Sequence, residues 1–355
     1  MINSLYNVVG VMSGTSLDGI DLVYVKFSFN SKWDFNIISS ETIPYSSHWK
    51  EKLKALISYS RDELSELDLS YCEYLGLVIK EYIQRNNIEY IDFVSSHGHT
   101  ALHQPNKGFT YQIGNRQSLA DTLDQKVICD FRIQDIELGG QGAPLVPIGD
   151  SILFSDFDYC MNLGGFANVS FKFKKERIAF DICPVNIVLN HLISKIGLEY
   201  DEDGIIASKG NINRELLEEL NGLTFYGLSH PKSLGLEWVQ ENIFPIIQKC
   251  RLNLEDQLST FVEHIAIQIT KVISGLDKNV LITGGGTYNK YLMSRIQFHT
   301  DLDIVIPSNE IIEFKEALIF AFLGVLRDRN EINCLASVTG AKKNHSSGKI
   351  FTPQL

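Results

Sequence analysis

The sequence predicts an α/β fold in two domains, because short apolar strands alternate with amphipathic helices and the opening pattern of the chain returns in its second half. A length of 355 residues suits two domains of about 100–200 residues each. We predict an N-terminal α/β domain at 1–134, to which the tail at about 341–355 is expected to return. A C-terminal α/β domain is predicted at 135–340.

The first half opens with apolar strands separated by a turn rich in Gly, Ser and Thr, the pattern of a β-hairpin followed by a third strand. Its predicted strands are 6–12, 20–29, 33–43, 91–96 and 126–130. A helix is predicted where apolar residues recur at intervals of three and four. The residues that mark it are Leu64, Leu67, Tyr71, Leu75, Val78 and Tyr82.

The second half repeats this opening after the turn-rich stretch 138–147, with a glycine turn between its first two strands. The predicted strands are 159–163, 166–173, 177–181 and 280–283. Helices are predicted at 254–272 and 314–327 from their apolar spacing. The two halves therefore share a topology without sharing a sequence.

Composition excludes several classes of protein. A net charge of −11 without a block of Lys or Arg disfavours nucleic-acid binding. The longest apolar run, 317–326, is shorter than the ~18 residues that a membrane span needs. Met1 is not followed by the basic start of a secretion signal. The six cysteines include no C-x-x-C pair, which favours reduced thiols in a cytoplasm over a disulfide framework or a structural zinc site.

The first candidate motif lies at the first hairpin turn and combines glycines, hydroxyls and carboxylates. Glycines let main-chain amides approach an anion, and Asp18 and Asp21 could hold Mg²⁺ directly or through water. The alternative is a hairpin turn that needs glycine for its own geometry. The predicted nucleotide-binding residues are Gly14, Thr15, Ser16, Leu17, Asp18, Gly19, Ile20 and Asp21.

Two further glycine turns lie in the second half. One follows the strand at 159–163 and matches the position of the first motif, so that the pair could clamp a polyphosphate from two sides. The other follows the strand at 280–283 and precedes a helix, whose N-terminus favours negative charge. A tight turn with no ligand explains either one as well. The predicted nucleotide-binding residues here are Asn162, Gly164, Gly165, Gly284, Gly285, Gly286 and Asn289.

Asp181 is the candidate general base. It comes at the end of a predicted strand, where a carboxylate over a cleft is well placed to accept a proton. The helix that follows is predicted to begin at Pro184, and an Asp just ahead of such a helix is also a good N-cap. The sequence does not separate these two roles.

A polar segment at 96–105 contains His97, His99 and His103 and is predicted to be a loop. It lacks the spacing of a zinc site, so we expect His97 and His103 to donate hydrogen bonds to a ligand or to main chain. Arg132 could clamp a carboxylate or phosphate with its planar side chain. Its alternative role is an interdomain salt bridge with Asp130 or Asp135.

Taken together, these segments resemble the anhydro-N-acetylmuramic acid kinase family from Gly10 to Ala341. The similar segments are GVMSGTSLDGIDLVYV, SHGHTALHQP, YQIGN, DFRIQDIELGGQGAPLVP, NLGGFANVS, FD-x-x-P-x-N, DEDGIIASKGNIN, PKS-x-G, GGGTYN, EAL-x-FAFLG and SVTGA. The resemblance implies a two-domain actin/hexokinase/Hsp70-like (ribonuclease H-like) fold with ATP in the cleft between the domains. It also implies a cytoplasmic protein and a homodimer.

The implied reaction uses ATP and Mg²⁺ to open the anhydro ring of 1,6-anhydro-N-acetylmuramic acid by hydrolysis and to phosphorylate its 6-oxygen. The product is N-acetylmuramic acid 6-phosphate, in cell-wall recycling. The resemblance assigns the catalytic base to Asp181 and nucleotide binding to 14–21. Substrate contacts are predicted for His97, Arg132, Asn186 and Glu316.

The chain departs from the family pattern near Asp181. Cys183 and Val185 replace two glycines, and a β-branched Val does not readily take the close-approach or φ > 0 roles of glycine. A carboxylate, a Thr and an Arg of the usual pattern are replaced by Asn190, Leu234 and Leu236. Two alternatives follow, a non-catalytic ATP-binding relative and a kinase for a different sugar.

Overall fold

The computed structural model describes residues 4–14, 17–275 and 278–354. The chain divides into two compact units, Met1–Leu153 with Phe314–Leu355, and Phe154–Glu313. The domain boundaries predicted from the sequence differ from this division, because 135–153 and 314–340 belong to the first unit. Among the described residues, no helix combines the length and the apolar character that crossing a membrane requires.

Seven of the described strands belong to the first unit, together with five helices that precede residue 154. The strands are β1 (Leu5–Ser13), β2 (Gly19–Asn30), β3 (Lys32–Pro44), β4 (Phe93–Gln104), β5 (Phe109–Ile113), β6 (Val127–Cys129) and, from the end of the chain, β12 (Lys349–Phe351). The helices are α1 (Ser47–Lys54), α2 (Arg61–Arg85), α3 (Gln117–Leu123), α4 (Ile133–Glu137) and α5 (Val146–Leu153). Two helices complete it, α12 (Asn309–Asp328), most of which belongs to this unit, and α13 (Ala336–Thr339).

The sheet of the first unit has the strand order β12-β6-β4-β1-β2-β3, with β5 paired to β4. The three opening strands are antiparallel, whereas β1 pairs in parallel with β4 and β4 in parallel with β6. The tail returns as β12, which pairs antiparallel with β6. The helix α2 covers part of this sheet and begins at a capping box, in which Ser60 and Glu63 satisfy each other's main-chain amides.

Small residues allow α12 to lie close against the first sheet. A Cβ atom at Gly10 of β1 would collide with the main chain at Ala317 and would lie 2.8 Å from the Cβ of Ala321. The hydroxyl of Ser95 on β4 donates to the carbonyl of Phe320 at 2.6 Å. This close packing explains why residues 314–340 belong to the first unit although the chain reaches them from the second.

The second unit has its own sheet and helices. Its strands are β7 (Tyr159–Leu163), β8 (Phe166–Phe173), β9 (Glu176–Pro184), β10 (Asn279–Thr283) and β11 (Asp303–Val305). Its helices are α6 (Asn186–Ile193), α7 (Arg214–Asn221), α8 (Leu236–Asn242), α9 (Phe244–Lys249), α10 (Leu254–Val272) and α11 (Lys290–Phe298). The apolar face of α10 is buried in the core of this unit.

The two sheets share one topology. The second has the order β11-β10-β7-β8-β9, with antiparallel β7, β8 and β9 and parallel β7, β10 and β11. The first has the corresponding order β6-β4-β1-β2-β3. The predicted α/β class is confirmed, and each unit taken alone has the ribonuclease H-like strand order of the predicted fold class.

The histidine-rich segment is a strand rather than the predicted loop. Residues 93–104 form the single strand β4, whose first half is buried at the centre of the sheet. Its second half pairs with β5, which the sequence analysis missed. The polar side chains obscured the strand because a buried polar residue is satisfied by hydrogen bonds that a sequence does not show.

Replacement of Gly324 tests the packing of α12. Glycine to alanine within a helix is favourable by about 1 kcal/mol from propensity alone. At Gly324, however, the added Cβ would lie 2.5 Å from Oγ and 2.7 Å from Cβ of Ser95. We expect Gly324→Ala to lower the free energy of unfolding in urea by about 1–3 kcal/mol.

The matched control is Gly227→Ala, since an added Cβ there would meet nothing within 4 Å. We expect this variant to stay within about 0.5 kcal/mol of the wild type. A Gly324→Ala protein as stable as the wild type would contradict the close packing of α12 on β4.

Candidate functional site

In the first unit, parallel pairing brings the predicted site segments to one edge of the sheet. Ser13, the last residue of β1, pairs with His99, and Ser96 pairs with Cys129, the last residue of β6. The segments that follow these strands therefore lie side by side, as the carboxyl ends of parallel strands do. They are the first glycine turn, the second half of β4 and the segment that contains Arg132.

Most of the first glycine turn is described. Thr15 and Ser16 lie outside the described residues, and the amide of Leu17 donates to the carbonyl of Gly14 at 3.4 Å. Gly19 serves the hairpin itself, because a Cβ there would lie 2.5 Å from the carbonyl oxygen of Ile43. Ile20 is fully buried in the core.

The two carboxylates of this turn differ in their exposure. Asp18 is exposed, and Asp21 is half-buried. Oδ1 of Asp21 accepts a hydrogen bond from the hydroxyl of Thr42 at 2.6 Å, which fixes the orientation of the carboxylate.

His97 and Arg132 contact each other directly. Nε of Arg132 donates to Nε2 of His97 at 2.9 Å, and Nδ1 of His97 donates to the carbonyl of Gly98 at 2.8 Å. Burial lowers the pKa of His97 well below its usual value, and the charge of Arg132 lowers it further. His97 is therefore neutral and accepts the hydrogen bond that orients Arg132.

The guanidinium of Arg132 donates to main chain rather than forming the alternative salt bridge with Asp130 or Asp135. Its Nη1 donates to the carbonyl of Gly142 at 2.7 Å. Asp130 pairs instead with Lys349 at 2.6 Å, and Asp135 accepts from the amide of Gly142. Burial lowers the pKa of Arg132 to about 10, which still leaves it charged at neutral pH.

Glu316 lies on α12 and is accessible to solvent. Dense protein around its carboxyl raises the pKa, the charge of Arg132 lowers it, and the charge of Asp21 raises it. Glu316, Arg132 and Asp21 are thus electrostatic neighbours within the first unit. Two carboxylates and one guanidinium can together contact a polar ligand and a hard cation.

In the second unit, two glycine turns also meet at one edge of the sheet. Parallel β7 and β10 end together, with Thr283 paired to Asn162. Gly284 has a φ of +86°, and a Cβ there would lie 2.5 Å from Oδ1 of Asn162. A Cβ at Gly286 would lie 2.7 Å from that of Leu163. Glycine is required at both positions because the turns pack against each other.

Two residues of these turns remain open to solvent. Gly165 and Gly285 are exposed, so an anion can reach the main chain at both positions. Asn186, the first residue of α6, donates from Nδ2 to the carbonyl of Leu163 at 3.4 Å. The main-chain amide of Asn186 donates to the carbonyl of Gly164 at 3.2 Å, so it is already engaged.

The third glycine turn does not open directly into an α-helix. Gly285–Tyr288 forms a single 3₁₀ turn, and α11 begins only at Lys290. Oδ1 of Asn289 accepts from the amide of Leu292 at 2.9 Å, which makes Asn289 the N-cap of α11. The side chain of Asn289 therefore has a structural task in addition to its predicted role.

Asp181 lies in β9 and is held by main chain. The amide of Leu234 donates to its Oδ2 at 2.8 Å, and its own amide donates to the carbonyl of Lys232 at 3.1 Å. Burial raises the pKa of Asp181, and the Leu234 hydrogen bond lowers it. The N-cap position of α6 is Val185, without a side-chain cap, so the capping role considered for Asp181 is excluded.

The sequence analysis missed the contact from Leu234. Only the segment PKS-x-G pointed to the residues around Leu234. A main-chain donor cannot be recognised from the sequence, because almost every residue type has the same amide. Because any residue except proline supplies this amide, Leu234 in place of Thr preserves the support of Asp181.

The other residues that depart from the family pattern do not have a left-handed backbone conformation. Cys183 and Val185 are fully buried in the core of the second unit. Val185 has a φ of −129°, so it does not adopt the left-handed conformation that favours glycine. Asn190 and Leu236 are both exposed. These replacements fill the core or face solvent, and they leave the hydrogen bond to Asp181 intact.

The three histidines of β4 have separate hydrogen-bond partners. Nδ1 of His99 lies 2.7 Å from Oγ of Ser13, and Nδ1 of His103 lies 3.1 Å from Oγ1 of Thr110. The hydroxyl of Tyr45 bonds to Ser13 and to that of Tyr71, at 2.5 and 2.6 Å. This buried network supports the end of β1 immediately before the first glycine turn.

His99 makes the stability of the protein depend on pH. Burial lowers its pKa to about 4, from an ordinary value near 6.5. Below about pH 6.5 the unfolded chain binds a proton that the folded chain does not, so stability falls as the pH falls. We expect His99 alone to remove about 2 kcal/mol of unfolding free energy between pH 7 and pH 5.

Urea unfolding followed by tryptophan fluorescence at both pH values measures this loss. His99→Gln should show a correspondingly smaller loss than the wild type. The exposed His48 provides the control, and His48→Gln should keep the full loss. A His99→Gln protein that loses as much stability as the wild type would contradict a neutral, buried His99.

Comparison with known proteins identifies the family of this chain. A model of the family "Anhydro-N-acetylmuramic acid kinase" matches residues 6–353. The anhydro-N-acetylmuramic acid kinase of Haemophilus influenzae is 36% identical over 374 residues, which cover 97% of each chain. Those of Pseudomonas syringae pv. syringae and Sulfurimonas denitrificans are 33% and 32% identical, over 97% of this chain and 98% of theirs. The chain belongs to the anhydro-N-acetylmuramic acid kinase family.

Proposed function

We propose that this protein is an ATP-dependent kinase that opens the anhydro ring of 1,6-anhydro-N-acetylmuramic acid with water and phosphorylates the 6-oxygen. The product is N-acetylmuramic acid 6-phosphate, an intermediate of cell-wall recycling. The observation that carries the proposal is the orientation of Asp181 by the main-chain amide of Leu234, in a chain of this family.

Asp181 is proposed as the general base of the hydrolytic step. A water oxygen forms a bond to the anomeric carbon while the bond from that carbon to the 6-oxygen breaks. One water proton passes to the carboxylate of Asp181 and the other stays on the new hydroxyl. Burial raises the pKa of Asp181, which makes the carboxylate a stronger base while the Leu234 hydrogen bond favours its ionised form.

The freed 6-oxygen then attacks the γ-phosphorus of ATP, and the bond from that phosphorus to the bridging oxygen of ADP breaks. Phosphoryl transfer needs positioning and charge neutralisation more than covalent help. We propose that exposed main chain at Gly165 and Gly285, with the first glycine turn, contacts the phosphates.

Mg²⁺ is part of the proposal because the carboxylates of the first unit suit it. Asp18 and Asp21 offer oxygen ligands, and the negative charge of Asp21 raises the pKa of Glu316. Bound Mg²⁺ would neutralise phosphate charge. Asp18 and Asp21 would hold it directly or through water.

Substrate contacts are proposed for His97, Arg132, Glu316 and Asn186. Arg132 is pre-oriented by His97 and Gly142, so its guanidinium can bind a carboxylate or hydroxyl of the sugar with little loss of side-chain freedom. The proposal also includes a homodimer in a cytoplasm.

Asp181→Asn tests the base directly. The amide is nearly isosteric but accepts no proton at neutral pH, so we expect kcat to fall by about 10²–10⁴-fold with unchanged affinity for Mg·ATP. In the wild type, kcat/KM should fall on the acid side with an apparent pKa above the usual value for Asp. Release of ADP and mass spectrometry of the sugar measure both effects.

Leu234→Ala is the matched control, since it keeps the amide that supports Asp181, and it should retain nearly full activity. Unchanged turnover in Asp181→Asn would remove Asp181 from this role. A wild type that binds Mg·ATP without forming any phosphorylated sugar would support the non-catalytic alternative. A wild type that phosphorylates only another sugar would support a kinase for that sugar.

A further inference from the structure

Three buried side chains of different chemistry meet behind the segment that carries Arg132. Asp135 lies on α4, Cys334 precedes α13, and His345 lies in the segment that leads to β12. Their exposed fractions are 0%, 1% and 6%. An isolated antiparallel bridge pairs Cys334 with His345.

Their potential ligand atoms lie close to the spacing of a metal site, and without an ion the thiol of Cys334 donates a hydrogen bond to Asp135. Oδ1 of Asp135 lies 3.1 Å from Sγ of Cys334 and 3.6 Å from Nε2 of His345. All three atoms lie within 4.8 Å of one another. In a tetrahedral site with bonds of about 2.0–2.3 Å, ligand atoms are roughly 3.3–3.7 Å apart.

His345 supplies a second, independent observation. Its Nδ1 lies 3.1 Å from the carbonyl of Lys343, to which it donates, so the lone pair lies on Nε2. Nε2 is buried and, among the described residues, has no hydrogen-bond partner. Its separation of 3.6 Å from Asp135 is too long for a hydrogen bond. A buried, unpartnered lone pair that faces a carboxylate is a suitable place for a metal cation.

The carboxylate of Asp135 is held as a metal ligand usually is. Its Oδ2 accepts from the amide of Gly142, and its Oδ1 from the hydroxyl of Thr339, both at 2.7 Å. A Cβ at Gly140 would collide with this carboxylate. Such outer hydrogen bonds orient ligands and tune their affinity.

Charge balance also favours a divalent ion. One thiolate, one carboxylate and one neutral imidazole sum to −2, so a divalent cation makes the buried cluster neutral. A sulfur, a nitrogen and an oxygen ligand suit zinc and similar transition metals better than Mg²⁺ or Ca²⁺.

We propose that Asp135, Cys334 and His345 supply three ligands to one zinc ion, or to a similar divalent transition metal. Binding forms one bond each to Oδ1, Sγ and Nε2, and the thiol proton of Cys334 is released to solvent. The ion ties the C-terminal segment to α4 and to the loop at 139–142. The same loop accepts a hydrogen bond from Arg132 through Gly142, so the ion stabilises the setting of that side chain.

Cobalt serves as a spectroscopic probe of this site. Wild-type protein is treated with EDTA, dialysed and titrated with Co²⁺ while its absorption spectrum is recorded. We expect saturation at one cobalt per chain, with a thiolate-to-cobalt charge-transfer band in the near ultraviolet. Zinc should displace the cobalt and abolish the band.

Variants then assign the ligands. Cys334→Ala should lose the charge-transfer band, and His345→Gln should weaken cobalt binding at least about tenfold. Cys129→Ala is the matched control, because Cys129 is another buried thiol of the first unit. This variant should keep both the charge-transfer band and the affinity for cobalt. Circular dichroism confirms that each variant is folded.

Absence of stoichiometric binding by the wild type overturns the proposal without any variant, as does an unchanged band in Cys334→Ala. A protonated His345 ring in the wild type at neutral pH, seen by NMR together with no cobalt band, would identify an Asp135–His345 ion pair instead.

Discussion

Parallel pairing of strands is the constraint on which the candidate site depends. In the first unit β1 and β6 end on either side of the middle of β4, and in the second β7 and β10 end together. Glycines after β10 then let the two turns of the second unit fold tightly beside each other. The site residues come together in each unit because main-chain hydrogen bonds align the strands that precede them.

Main-chain contacts also explain how the site tolerates changes of residue type. Asp181 is oriented by the amide of Leu234, so a change of side chain at 234 leaves that hydrogen bond in place. Cys183 and Val185 pack in the core, and neither adopts a left-handed conformation. The departures from the family pattern therefore alter the surroundings of Asp181 more than its position.

The sequence predicted the features that depend on local pattern. The strands at 159–163 and 166–173 and the helix at 254–272 have the predicted bounds, because apolar periodicity and glycine turns mark them locally. It did not predict that 96–104 form a strand or that Leu234 supports Asp181. The cluster of Asp135, Cys334 and His345 was equally hidden, since 199 residues separate Asp135 from Cys334. All three features depend on contacts distant in sequence.

The most direct test of this account is hydrogen–deuterium exchange with and without the Mg²⁺ complex of an ATP analogue that is not hydrolysed. If the glycine turns at the strand ends bind phosphate, exchange slows at 160–168 and at 282–289 of the second unit. The same unit contains a cavity of about 420 Å³, lined by Thr270, Phe298 and Leu302 among others, that includes none of the predicted site residues. Slower exchange around that cavity alone, with the turns unchanged, would contradict the account.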